Sequence, residues 1–223
     1  MSDFSCGILI GNNHKDLAVN YMEPDTFLIK LNDEWLCRLS ENDSKEIVLE
    51  NYSQAVLDMS AQIPLLHIQH SEDYGFDMGV LHNGELVFRF GIEYAIESSF
   101  AFEVGDKLYE DVDYVLVMDK PEVVERVKRE VSARCHEIDE KISRSFASVN
   151  DNNIKQFNLF GFDDERCSKI RNLLTEANYK KDDGLGFQMI QDLLAIIGLE
   201  NFYFVSHRYA CLGDNDFEIV EKG

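Results

Sequence analysis

Residues 65–93 read LLHIQHSEDYGFDMGVLHNGELVFRFGIE, and the fold follows from how that stretch divides. Three runs rich in aliphatic and aromatic residues, Leu65 to His70, Phe76 to His82 and Glu85 to Glu93, are separated by polar and glycine-containing turns. Asn83-Gly84 supplies the two positive φ angles that a two-residue hairpin needs. A tight turn there sets His82 opposite Glu85, Val80 opposite Val87 and Met78 opposite Arg89. Leu81, Leu86, Phe88, Phe90 and Ile92 then share a core-facing side, while Met78, Val80, Val87 and Arg89 make the other side mixed. An antiparallel meander is expected.

Upstream of it, residues 5–10 (SCGILI) read as a buried strand, and a short helix is expected from Lys15 to Met22. Thr26 to Leu31 and Glu34 to Leu39 form two strands around Asn32-Asp33. Ser44 is placed to cap a helix from Lys45 to Ala61, bounded by Pro64. Downstream, Ser98 to Val104, with Phe100 and Phe102 alternating, reads as strand or loop, and Tyr114 to Met118 as a buried strand. Pro121 opens the strongest helical signal. Val124, Val127, Val131, Cys135, Ile138, Ile142, Phe146 and Val149 follow at spacings of three and four. Helices over 164–177 and 187–197, a strand over 202–207 and an acidic tail from Asp214 complete the chain.

This order predicts an α+β fold: an antiparallel-rich mixed sheet around the meander 65–93, a long amphipathic helix over 121–149 and a helical C-terminal part. The chain divides into a sheet-rich part, 1–119, and a helix-rich part, 120–223, or forms one compact unit if the long helix covers the sheet. The apolar stripe of 121–149 either lies on the sheet or seats a second copy in a coiled-coil homodimer.

Asp and Glu number 42 against 21 Lys and Arg, a net charge of −21. The span 121–149 is charge-balanced, so the surplus lies elsewhere. A field of this sign repels phosphate backbones and anionic lipid, which speaks against nucleic acid and membrane as partners. It favours a positively charged partner: a basic protein, a polyamine or a metal ion. No basic leader opens the chain and its apolar runs are short, so a cytoplasmic protein is expected. The five cysteines contain no CxxC, which removes a zinc knuckle and a dithiol redox site and predicts reduced thiols.

Two groups of residues carry candidate chemistry. His67, His70 and Asp73, with Glu72, Asp77 and His82 nearby, offer imidazole and carboxylate ligands to a transition metal. On one strand residues 67 and 70 point to opposite faces, so a shared ion requires a bulge or an early strand end. The other group is Asp106, Glu110, Asp111 and Asp113 with Tyr109, a carboxylate cluster beside an aromatic ring suited to a basic protein surface. Asp214, Asp216, Glu218 and Glu221 form a second acidic cluster, and Arg208, at the end of the expected last strand, has the forked donors to hold a carboxylate or phosphate. There is no GxSxG, no P-loop, and Gly184-Leu185-Gly186 lacks the strand and third glycine of a nucleotide fingerprint, so no cofactor is expected. In composition the chain resembles acidic proteins that neutralise basic toxins. An interaction protein of immunity or adaptor type is the expected function, with a metal-dependent enzyme around His67, His70 and Asp73 as the alternative.

Overall fold

A computed structural model describes residues 4–71, 74–94, 96–181, 186–213 and 218–223. Strands β1 (Phe4–Gly11), β2 (Phe27–Lys30), β3 (Trp35–Leu39), β4 (Leu65–Ser71), β5 (Gly75–His82), β6 (Glu85–Glu93) and β7 (Glu218–Lys222) form one sheet in the order β6-β5-β4-β1-β3-β2-β7. Every neighbouring pair is antiparallel. Before the meander lie α1 (Lys15–Val19) and α2 (Gln54–Ser60); after it come α3 (Ile96–Leu108), α4 (Pro121–Ala133), α5 (Cys135–Ala147), α6 (Asp151–Ile154), α7 (Asp164–Leu173), α8 (Glu176–Lys181), α9 (Phe187–Ile196) and α10 (His207–Leu212). The protein is α+β, an antiparallel sheet with a helical C-terminal part.

Both faces of the sheet are covered, and strand parity sorts the side chains between them. One face, with Leu9, Cys37, Ile68, Met78, Val80, Phe88 and Phe90, meets Val123, Ile142, Phe157, Ile170 and Leu193 of the C-terminal helices in the larger core. That core runs across residue 119 without a break. The other face, with Ile8, Ile10, Leu28, Leu36, Leu65 and Leu81, is closed by Ala18, Val56 and Met59 of α1 and α2. Among the described residues, no helix is long and apolar enough to cross a membrane.

The meander forms as its sequence requires, with Asn83 at φ 55° and Gly84 at φ 78° in the turn and His82 opposite Glu85. Its register differs beyond that pair. Leu81 faces Leu86 but Val80 faces Phe88, so Val87 is an extra residue and Met78 lies opposite Phe90, not Arg89. The bulge brings Phe88, Phe90 and Ile92 to the side of Met78 and Val80, in the larger core, and leaves Leu81 and Leu86 on the smaller one.

Helical structure occupies 121–147 as α4 and α5, divided at Arg134, whose backbone leaves helical values at φ −113° and ψ 17°. Val123, Val127, Ile138, Ile142 and Phe146 are buried in this chain's own core. The strand-or-loop segment 98–104 is part of α3, because Ile96, Phe100 and Val104 recur every fourth residue and it is these that are buried. Tyr114–Leu116 is a single 3-10 turn rather than a strand; Tyr114 is buried while Val115 and Leu116 face solvent. The expected helix 45–61 is shorter, because two serines cap earlier and later than Ser44. Ser40 and Asp43 form a reciprocal capping box on a 3-10 turn over 41–44, and the Ser53 hydroxyl accepts from the Val56 amide to start α2. Residues 202–206 are not a strand; Val205 alone joins β1, through its carbonyl to the Cys6 amide (2.7 Å) and its amide to the Ser5 hydroxyl (3.3 Å). The last strand is β7, within the acidic tail.

Candidate functional site

Helix α3 places Phe102 and Asp106 toward solvent on the side opposite its buried residues. At its end the chain folds back, with the Tyr109 amide donating to the Gly105 carbonyl and the Val112 amide to that of Tyr109. Asp113 then caps the 114–116 turn, its carboxylate accepting from the Val115 amide (3.1 Å). The turn is seated from below. The Tyr114 ring fills a notch over Gly105, where a Cβ would lie 2.3 Å from the ring, and it is met by Tyr109 (6.3 Å, stacked) and by Phe102 edge-on (5.7 Å). The Arg126 guanidinium sits 5.3 Å from the Tyr109 ring centroid.

The surface that results is apolar and acidic together. Phe102 (45%), Val112 (46%), Val115 (57%) and Leu116 (75%) are exposed, four of the ten large apolar side chains exposed among the described residues. Single exposed apolar residues are ordinary; a group on one segment marks an interaction surface. Asp106, Glu110, Asp111 and Asp113 are all exposed beside them, with Tyr109 half-buried. Among the described residues none of these four carboxylates is in an ion pair, and Lys107 on the same helix is held by Glu103 at 2.6 Å. The acidic cluster expected from the sequence is therefore brought together around an apolar centre. Arg208 is not part of it: it stands exposed on α10, a helix and not the end of a strand.

Of the candidate metal ligands, His67 and His70 are kept apart. Strand β4 pairs residue by residue with β1 and β5 through 66–71, with no bulge, so His67 and His70 face opposite sides of the sheet. His67 has both ring nitrogens occupied, Nε2 donating to the Asp43 carbonyl and Nδ1 accepting from the Tyr52 hydroxyl, each at 2.8 Å. Burial lowers its pKa to about 4, so it is neutral. His70 lies among Phe76, Tyr94 and Phe187, each ring centroid 6.1 Å away; among the described residues its Nε2 has no hydrogen-bond partner, and burial lowers its pKa to about 4. Asp77 is bound to Arg89 at 2.6 Å. Among the described residues no three His, Cys, Asp or Glu side chains are gathered to hold a metal ion. Asp73, with Glu72, Gly184, Leu185, Asp214 and Asp216, lies outside the described residues.

A buried polar cluster on the α1–α2 side of the sheet has no counterpart in the sequence reading. Arg38 of β3, almost wholly buried, donates to Glu23 at 2.6 Å and, at a longer 3.4 Å, to Asp43. Glu23 also accepts from the Ser53 hydroxyl (2.6 Å), and Asp43 from the Ser40 amide (2.6 Å). Burial raises the Asp43 pKa to about 7; Arg38 and the Ser40 amide pull it down, and Glu23 pushes it up. These bonds, with those from His67 and Gln69 to the Asp43 carbonyl, fasten residues 40–53 to the sheet around a cavity of about 100 Å³. The cluster is a clasp with its donors and acceptors largely matched to one another. The one clue in the sequence is a single arginine within the apolar strand WLCRL.

A more open groove of about 600 Å³ lies near Tyr74, Gly75 and Gly91, bordered by Arg89, Lys141 and Arg144. Each of these cations is already paired, with Asp77 and Glu46, with Glu93 and with Glu140 respectively. Uncompensated charge beside exposed apolar surface is thus found at 102–116. The chain matches no known protein family, no curated protein and no solved structure.

Proposed function

We propose that this chain is a protein-interaction module of immunity or adaptor type that captures a basic protein partner. One observation carries the reading: the carboxylates of Asp106, Glu110, Asp111 and Asp113 stand exposed and unpaired beside exposed apolar side chains. Unpaired charge speeds encounter with a surface of opposite sign, and the apolar contacts then slow release. The net charge of −21 extends the same field over the whole molecule. On this reading the protein acts in the cytoplasm, away from nucleic acid and anionic lipid, and needs no cofactor.

The test is capture from host extract on the immobilised protein at about 50 and about 500 mM salt, where the screening length falls severalfold. A basic protein bound at low salt, released at high salt and lost on the quadruple variant D106N/E110Q/D111N/D113N is the expected result. Capture that is indifferent to both salt and the four carboxylates refutes it.

A further inference from the structure

Resting on that reading, we propose that the turn bearing Val115 and Leu116 is the anchor of the docking surface, and that its occupant is a basic amphipathic segment, aliphatic residues interleaved with Lys and Arg. Three features of the turn support this assignment. Val115 and Leu116 are adjacent in the chain yet both face solvent, which a run of this composition does not do in a core. Their backbone is fixed: Asp113 caps the turn, and the Leu116 and Val117 amides donate to the Asp113 and Tyr114 carbonyls at 3.0 Å. Beneath them Tyr114 is wedged over Gly105, so the apolar tip is held out rigidly instead of folding down. A rigid apolar tip loses little conformational freedom on binding, which is the property of an interface anchor.

Charge selects the occupant. Val112 lies between Asp111 and Asp113 in the chain, and Asp113 caps the turn itself, so a partner covering the apolar tip meets carboxylates at its margin. An acidic or neutral apolar segment would leave those carboxylates unpaired or repelled, whereas Lys and Arg flanking aliphatic residues satisfy them. A basic stretch without aliphatic residues would leave the tip wet.

The probe is a phage-displayed library of random peptides panned on the whole protein, followed by fluorescence anisotropy with the selected peptides. The expected consensus interleaves Lys or Arg with Leu, Ile or Val. The variant V115S/L116S is expected to weaken those peptides by about tenfold or more at every salt concentration, leaving the salt slope intact, as loss of an anchor does. The quadruple variant D106N/E110Q/D111N/D113N, which keeps a capping oxygen at residue 113, is expected to flatten the salt slope. Both variants change only exposed side chains, and an unchanged thermal midpoint verifies folding. Failure to enrich that consensus, or full affinity of V115S/L116S, overturns the anchor. If V115S/L116S captures a basic protein from extract as fully as the unaltered chain does and in a salt-sensitive way, the interaction reading stands and only this assignment falls; if no basic protein is captured by the unaltered chain, the reading itself falls.

Discussion

The substitution Asp43→Asn isolates one buried proton. In the folded chain burial holds the Asp43 carboxyl at a pKa of about 7, against an ordinary value of 3.8. Below pH 3.8 both folded and unfolded chains carry the proton, and the folded state has its full advantage. Between 3.8 and 7 the unfolded chain has released the proton and the folded one still holds it, so stability declines by about 1.4 kcal/mol per pH step. Above about 7 the folded carboxyl is ionised as well and the decline stops; the whole interval is worth about 4 kcal/mol. The amide in D43N does not titrate, and His67 keeps its bond because it binds the Asp43 backbone carbonyl. Contributions from every other group then cancel in the difference between the two proteins to the extent that they are independent of residue 43. Urea unfolding of both from pH 5 to 8 is the assay. The stability of the unaltered chain relative to D43N is expected to fall by about 3 kcal/mol between pH 5 and 7 and to level off beyond. A difference that stays constant over this range would show that the Arg38 contact, long as it is, suffices to keep Asp43 ionised, and would refute the account.

His70→Leu removes a buried ring nitrogen without a hydrogen-bond partner among the described residues and is expected to add about 1 kcal/mol at neutral pH. Because burial lowers the His70 pKa from 6.5 to about 4, native stability tied to this residue is present above pH 6.5 and is lost as pH falls through 4, so the advantage of H70L grows by about 3 kcal/mol over that range. Parallel urea-derived stability curves for the two proteins would contradict this. Gly105→Ala drives a methyl into the Tyr114 ring and is expected to lower stability by about 1–2 kcal/mol, even though alanine is the better helix former. It is also expected to weaken the selected peptides, although residue 105 is buried beneath the docking surface; a lower thermal midpoint with unaltered peptide affinity would show that the seat does not preorganise the tip.

The meander was legible because alternation and Asn83-Gly84 are local signals. The bulge was not, since Val87 is apolar and suits either register until the two cores compete for Met78, Val80, Leu81 and Leu86. The helical span from Pro121 was equally plain in its spacing. Its division was hidden, because the guanidinium of Arg134 is drawn to Glu137 and to the face of Phe100, 4.9 Å away, and Phe100 belongs to a helix that the alternating aromatics had disguised. The same mistake concealed the support of the docking surface. Its carboxylates are visible in composition, but the notch at Gly105 exists only once α3 is known to be helical. Residues 114–118 read as a strand because apolar runs are usually buried, and here two of them are held out. The opposite facing of His67 and His70 followed from parity alone. The clasp of Arg38, Glu23 and Asp43 joins three segments that share no periodicity, so only the folded chain assembles it.

Strand β1 is the keystone of the sheet: it is the first strand in sequence, yet it stands in the interior between β3 and β4. On a ribosome adding roughly 5–20 residues per second, its SCGILI run waits several seconds before Leu65–Ser71 emerges to cover its second edge. Within β1–β6, before the edge strand β7 is added to β2, the meander β4–β6 and the pair β2–β3 assemble from short loops, whereas joining them through β1 closes the longest one, residues 12–64. That closure is the expected slow step of folding. Until it occurs the nascent chain exposes an apolar strand with an unpaired edge, the period in which a chaperone would be of most use to it.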